Sequence, residues 1–218
     1  MASLPTNFSN LRKATVQKGT RLHRVHRAAY GATQFNDTSS GNARFSPIKS
    51  ANGQIIASIY AGSTLECALM ETIFHNSGSS GSVGQVQFSD IEQLHCSEIE
   101  VVRDLVVADL SSKALRSIGL SRSQLIDTPG AQYPNTRAWA EHLLSSSPDV
   151  EGFRWTSRQD DEAKAFVFFD RSGNGTFFKA KSSKQARRRP TFSEIEKLAE
   201  FINVCIVMPD NKGSAGRF

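Results

Sequence analysis

The sequence predicts an α+β fold, a mixed β-sheet core with flanking helices. Strand-like and helix-like segments are interspersed without a clean βαβ alternation. The strand candidates are rich in β-branched and aromatic residues, as in QIIASIYA (54–61) and AFVFFD (165–170), the composition of buried strands. With 218 residues, 39% of them apolar, the chain can bury a core without covalent staples. We therefore read an N-terminal arm at 1–20, one domain at 21–208 and a flexible tail at 209–218.

Residues 1–20 are polar and weakly periodic, which predicts an arm or a short leading helix around 10–18. LHRVH (22–26) reads as a short strand, and the turn-rich NDTSSGN (36–42) lies in a long loop, a place where binding groups gather. QIIASIYA is a buried strand, and a helix follows Gly62. Ser63 is its expected N-cap, with Glu66 three residues later as the capping-box carboxylate. Alternation predicts strands at 85–88 and, more loosely, at 95–102. LVVADL (105–110) suits a central strand. Helices are expected at 111–120 and 134–146, the second carrying Ala138, Ala140, Leu143 and Leu144. Strands at 153–157, 165–170 and 176–180 follow, with DRSGNG (170–175) as the tight turn joining the last two. Residues 179–189 hold six basic side chains, Pro190 breaks that run, and 193–207 reads as helix then strand.

Lys plus Arg number 26 against 21 Asp plus Glu, a net charge of +5. This permits an anionic ligand without requiring one. Cys67, Cys96 and Cys205 are odd in number, far apart and in no metal-ligand spacing, and the five histidines show none either. Reduced thiols and no metal site are expected. No basic-then-apolar leader opens the chain, and no stretch approaches about 18 consecutive apolar residues. The expected location is the cytoplasm, away from membranes.

One residue breaks the pattern. On a helix at about 100° per residue, Leu65, Ala68, Leu69, Thr72 and Ile73 share a face, and Cys67, Met70 and Phe74 cover most of the rest. A helix apolar nearly all round is buried, yet Glu71 falls well inside it. An unpartnered buried carboxylate costs several kcal/mol or goes neutral. Glu71 therefore reaches solvent, pairs with a cation, or lines a polar cavity. Arg24, Arg27, Arg44 and Arg158 are the cations on offer.

Four stretches, in this order and spacing, resemble the RES domain: LHRVHRAAY (22–30), FNDTSSGNARFSP (35–47), IYAGSTLECALMETIFH (59–75) and GFRWTSRQDD…AFVFFDR (152–171). That family is named for an arginine, a glutamate and a serine. The resemblance implies an ADP-ribosyltransferase-like fold. It also implies the toxin of a bacterial toxin–antitoxin pair that degrades NAD+ in the cytoplasm, with NAD+ as substrate and no cofactor required. The implied partner is an Xre-like helix-turn-helix antitoxin that blocks the pocket. Carried over, the family's arginines fall on Arg24 and Arg44, its tyrosine on Tyr60, its glutamate on Glu71 and its serine on Ser157. Where the family commonly shows Gly-Gly-Arg-Trp-Asn, this chain has Asn42-Ala43-Arg44-Phe45-Ser46. Loss of both glycines changes how closely that loop can approach a phosphate.

These residue types suit the implied chemistry. Arginine forks bind phosphates through bidentate, charge-assisted hydrogen bonds, so Arg24 and Arg44 would hold the pyrophosphate or the nicotinamide-side ribose phosphate. Ser157 would add a hydroxyl contact, and Tyr60 would stack on or position the nicotinamide ring. Cleavage of the nicotinamide–ribose bond passes through an oxocarbenium-like state, which a carboxylate such as Glu71 can stabilise. Arg24, Tyr60, Glu71 and Ser157 form the expected catalytic set, and Arg24, Arg44, Tyr60 and Ser157 the expected NAD+ contacts. Water, inorganic phosphate or a protein nucleophile could accept the ribosyl group, so a glycohydrolase or phosphorylase stands beside a mono-ADP-ribosyltransferase. A nucleic-acid-binding protein using the basic stripe at 179–189 is the non-enzymatic alternative. That stripe reads as a surface turn with no adjoining recognition motif, and direct nucleic-acid binding is not expected.

Overall fold

The computed structural model describes residues 7–77, 83–174 and 176–209. β1 (Lys13–Val16), β2 (Arg21–Arg27), β3 (Ile48–Lys49) and β4 (Ile55–Gly62) lead into α1 (Leu65–Met70). Next come β5 (Gly84–Gln87), α2 (Phe88–Glu92), β6 (Leu94–Val101) and β7 (Leu105–Asp109). Three helices, α3 (Ser112–Ser117), α4 (Arg122–Leu125) and α5 (Tyr133–Ser146), carry the chain to β8 (Gly152–Thr156). β9 (Lys164–Asp170), β10 (Phe178–Gln185), α6 (Thr191–Phe201) and β11 (Val204–Val207) complete the order. The architecture is α+β, a mixed sheet with flanking helices.

The large sheet runs β1-β7-β8-β9-β4-β2-β6-β10, with β3 added to β4. Only β7 and β8 are parallel within it, because a parallel pair needs a crossover and α3–α5 supply one. The junction between β2 and β4 is the feature that matters. β2 pairs with β6 at every position from Arg21 to Arg27, and β4 pairs with β9 from Ala57 to Gly62. β2 and β4 meet at a single register pair, His23 with Gly62. Farther along β4, Asn36 bridges Ser58 and β3 takes the edge at Ile55 and Ile56. The sheet is thus two blocks joined at one point, with a gap beside the joint.

A Cβ on Gly62 would lie 2.9 Å from the Ala68 nitrogen and 3.0 Å from the Cys67 Cβ. The start of α1 therefore seats directly on the end of β4, and only glycine allows that approach. Alternate residues of β9 feed two cores. Ala165, Val167 and Phe169 join Trp139, Leu143, Phe153 and Trp155 under α5. Phe166 and Phe168 join Ile59 from one block and Leu22, Ile99 and Val101 from the other, so this second core ties the blocks together. A third core packs α1 and α6 around Leu69, Phe74, Ile91, Phe192 and Ile195. No helix among the described residues is long and apolar enough to cross a membrane.

Several expectations are corrected. The leading helix around 10–18 is instead strand β1, antiparallel to β7. Thr15 and Val16 favour a strand, and pairing covers an edge that β7 would otherwise expose. β7 consequently sits one strand in from the edge. Thr64, not Ser63, caps α1, its Oγ1 accepting from the Cys67 N–H at 3.0 Å. Ser63 is used elsewhere: its N–H donates to Lys164 O, and its Oγ accepts from the Lys164 N–H, tying β4 to β9. The helix ends at Met70, which makes Glu71 the C-cap rather than an interior residue. The 170–175 turn does not join a hairpin, because β10 pairs with β6 at the far edge. Phe177 and Phe178 are drawn into the second core there. Position 175 of that turn lies outside the described residues. The basic stripe is largely edge strand β10 rather than a turn, with Lys179 and Lys181 ion-paired to Glu100. The tail expected at 209–218 lies outside the described residues from 210 onward.

Two stability predictions follow from this packing. Gly62→Ala should cost about 1–3 kcal/mol by overpacking against α1, read as a lower urea midpoint. His26 is buried, with Nε2 2.8 Å from Ser97 Oγ and Nδ1 3.0 Å from Arg27 O. Burial, then the neighbouring Arg24 charge, lowers its pKa from 6.5 to about 4. Above pH 6.5 neither state binds the proton. Below it the unfolded chain does and the folded one resists, so stability falls from pH 6.5 toward 4, by up to about 3 kcal/mol. His26→Gln should flatten that slope in urea melts across the same range.

Candidate active site

The gap between the two blocks opens into a cavity of about 530 Å³, within the size range of small-molecule sites. Arg24 of β2, Arg44 of the β2–β3 loop, Tyr60 of β4 and Glu71 at the end of α1 all line it. So do Tyr133 at the start of α5 and Trp155 of β8.

Glu71 is held by one oxygen and open at the other. Ser157, fully buried just beyond β8, donates its hydroxyl to Glu71 Oε1 at 2.6 Å. The Ser157 Oγ also accepts from the Gln159 and Asp160 N–H groups at 3.0 and 3.1 Å. A hydroxyl has a single proton. With both lone pairs taken by backbone donors, that proton is committed to Glu71. The Arg158 N–H adds a longer contact to the same Oε1, at 3.3 Å. Oε2 has no hydrogen-bond partner among the described residues. No buried side-chain oxygen or nitrogen there is without one, so Oε2 faces accessible space.

The two arginines follow the same logic. Arg24 is 8% exposed, and its Nη1 donates to the carbonyls of Gly31, Ala32 and Gln34 at 3.1, 3.0 and 2.9 Å. Arg44 is equally buried, and its Nη1 donates to Thr128 Oγ1 at 2.7 Å and to the Thr128 and Leu125 carbonyls at 3.3 and 3.4 Å. Its guanidinium carbon lies 5.1 Å from the centre of the Tyr133 ring, a cation–π arrangement. The Thr136 hydroxyl donates to Arg44 O and holds the loop against α5. Neither arginine has an ion pair among the described residues, and Nε and Nη2 of each are unengaged there. Burial lowers both pKa values, that of Arg24 to about 10, so both stay charged at neutral pH. Two buried cations held only by neutral groups, with Glu71 on the same cavity but in no ion pair with either, favour an anionic ligand.

Tyr60 is half-buried, and its Oη accepts from the Phe45 N–H at 3.1 Å. Burial pushes its phenol up to about 12, keeping it neutral. Among the described residues, no group of three or more His, Cys, Asp or Glu could hold a metal ion.

Of the residues singled out from sequence, Arg24, Arg44, Tyr60 and Glu71 meet at this cavity. Ser157 does not. It lies fully buried behind Glu71, with its hydroxyl donated to that carboxylate. Among the alternative cations, Arg158 meets Glu71 through its backbone N–H, and Arg27 lies at a different cavity. Thr128 and Tyr133, which orient Arg44, escaped sequence reading because they lie some eighty to ninety residues further along the chain. His75, one of the five histidines without ligand spacing, also lines the wall.

The family model for the RES domain matches residues 21–188. The chain belongs to the RES domain family. The matched RES segment runs from β2 to just past β10 and contains every wall residue named above. Its fold is also similar to a chain of the crystal structure of the M. tuberculosis MbcT–MbcA toxin–antitoxin complex, with a TM-score of 0.57 at 16% identity, covering 85% of this chain and 92% of that one. No curated protein matches the sequence.

Ser157 gives this RES site a direct test of assembly. Ser157→Ala would strand two backbone donors and release Glu71, costing about 1–3 kcal/mol. Urea unfolding should report that loss with the circular dichroism spectrum unchanged. A neutral result would show that Ser157 does not hold the site.

Proposed function

We propose that this RES domain is the toxin of a bacterial toxin–antitoxin pair and degrades NAD+ by cleaving its nicotinamide–ribose bond. In this reading an Xre-like helix-turn-helix antitoxin neutralises it by covering the cavity. The observation that carries the reading is the opposition, across one cavity, of the open Glu71 Oε2 and the unengaged donors of Arg24 and Arg44. Membership of the RES family supports it, as does the fold shared with a chain from a toxin–antitoxin complex.

The chemistry follows from that opposition. The arginine donors take the pyrophosphate oxygens, which fixes the dinucleotide and neutralises its charge. Tyr60, neutral and wedged at the strand end, offers a ring face for the nicotinamide. Glu71 Oε2 faces the ribose and stabilises the positive charge that develops there. The C1′–N bond breaks with its electron pair going to nicotinamide, which leaves as a neutral base. Water then forms the new C1′–O bond and loses a proton, giving ADP-ribose. Inorganic phosphate in place of water would give the 1″-phosphate.

The test is nicotinamide release from NAD+ by the purified chain, followed by chromatography. Glu71→Gln should lower kcat by about 10²–10³-fold, the usual cost of losing an electrostatic stabiliser. Ser157→Ala should lower kcat by about 10- to 100-fold through misplacement of Glu71, with Ser157→Thr recovering part of the loss. A wild-type chain that releases no nicotinamide would sink the reading. Release accompanied by ADP-ribose left on protein, seen by mass spectrometry, would identify a transferase instead.

A further inference from the structure

A second cavity, of about 400 Å³, adjoins the first. The two share Thr72 and Asn76, in the turn that follows α1. They also share strand β2: Arg24 and Val25 line the first cavity, and Arg27 lines the second. Gln85 of β5, Asp90 of α2 and Gln93 complete the polar wall. Neither Arg27 nor Asp90 has an ion pair among the described residues. A cation, a carboxylate and two amide residues therefore line one space with no ion pair between them, the Gln93 Nε2 also donating to Ser89 O at 3.4 Å.

A dinucleotide has two mononucleotide halves joined through a pyrophosphate. The first cavity holds the carboxylate suited to the scissile bond and the arginines suited to the phosphates. The half that carries no scissile bond needs a site within reach of those phosphates, and the second cavity meets the first at Thr72 and Asn76. We propose that the second cavity binds the adenosine monophosphate half of NAD+. This rests on the cleavage reading above. Arg27 meets the phosphate nearest the adenosine, as a charge-assisted donor. The adenine edge presents an exocyclic amine beside ring-nitrogen acceptors. A carboxylate accepts from that amine, and side-chain amides match the donor–acceptor pair as they do on adenine in nucleic acids. Asp90, Gln85 and Gln93 are the groups placed to read it.

The experiment compares NAD+ with nicotinamide mononucleotide, which has the scissile bond but no adenosine. Two variants alter the second cavity alone. Arg27→Ala removes the cation, and Gln85→Trp fills the space from an exposed position on β5. Each should raise KM for NAD+ by about tenfold or more, the scale of a lost charge-assisted hydrogen bond, and leave kcat/KM for the mononucleotide unchanged. AMP should inhibit the wild-type chain competitively and lose that effect in Gln85→Trp. Unchanged KM for NAD+ in both variants would overturn the proposal, and so would equal losses on the two substrates. Should the wild-type chain cleave neither substrate, the cleavage reading fails. Calorimetry with AMP then decides the subsite by itself: binding that Arg27→Ala abolishes supports it, and no binding overturns it.

Discussion

Among the described residues His23 and Gly62 form the single register pair between β2 and β4, and the candidate site depends on that narrow contact. Full pairing would bring the strands together along their length and leave no cavity. No pairing would let the strands that carry Arg24 and Tyr60 separate, and the two would no longer share a wall. The second core keeps the arrangement rigid, since its phenylalanines from β9 pack against Leu22, Ile99 and Val101 across the joint. Gly62 adds a second constraint at the same place, because α1 can sit against β4 only where no side chain intervenes. The position of Glu71 follows from both.

Charge in the site is positioned by neutral groups. Backbone carbonyls and a threonine hydroxyl hold the two arginines, and a serine hydroxyl with a backbone N–H holds the glutamate. Such partners fix geometry while leaving net charge in place. Elsewhere in the molecule the pattern is different: Lys13 pairs with Asp149, Arg103 with Glu151 and Arg189 with Glu196, all partly exposed, where an ion pair contributes little. The cleft instead brings two buried arginines that form no ion pair among the described residues, and a carboxylate with one open oxygen, onto one wall. That arrangement is what supports the proposed ligand, anionic in its middle and developing positive charge at one end.

Most strands were legible either because burial alternates along them with period two, as in β2, or because they are a continuous apolar run buried on both faces, as in β9. Glu71 was legible as an exception, since nothing in the helical pattern asked for a carboxylate there. The end of α1 was not legible. The apolar pattern continues through Phe74, whereas the backbone N–H groups of Thr72, Ile73 and Phe74 all turn back onto Leu69 O and close the helix, with Phe74 packed into the third core. The partner of β10 was equally hidden, because a glycine-rich turn after β9 suggests a hairpin, whereas the phenylalanines that follow are pulled across to β6.

From the sequence alone came the α+β class, most of the strands, and the five side chains whose resemblance to the RES pattern made them candidates. Those depend on local periodicity, composition and order along the chain. Tertiary structure decided which of their atoms are spent on holding the site and which stay open to a ligand. Ser157 was placed behind Glu71, and Arg44 gained its seat on Thr128 and Tyr133. The contacts responsible join residues more than eighty positions apart, and a hydrogen bond of that range leaves no trace in the spacing of either partner.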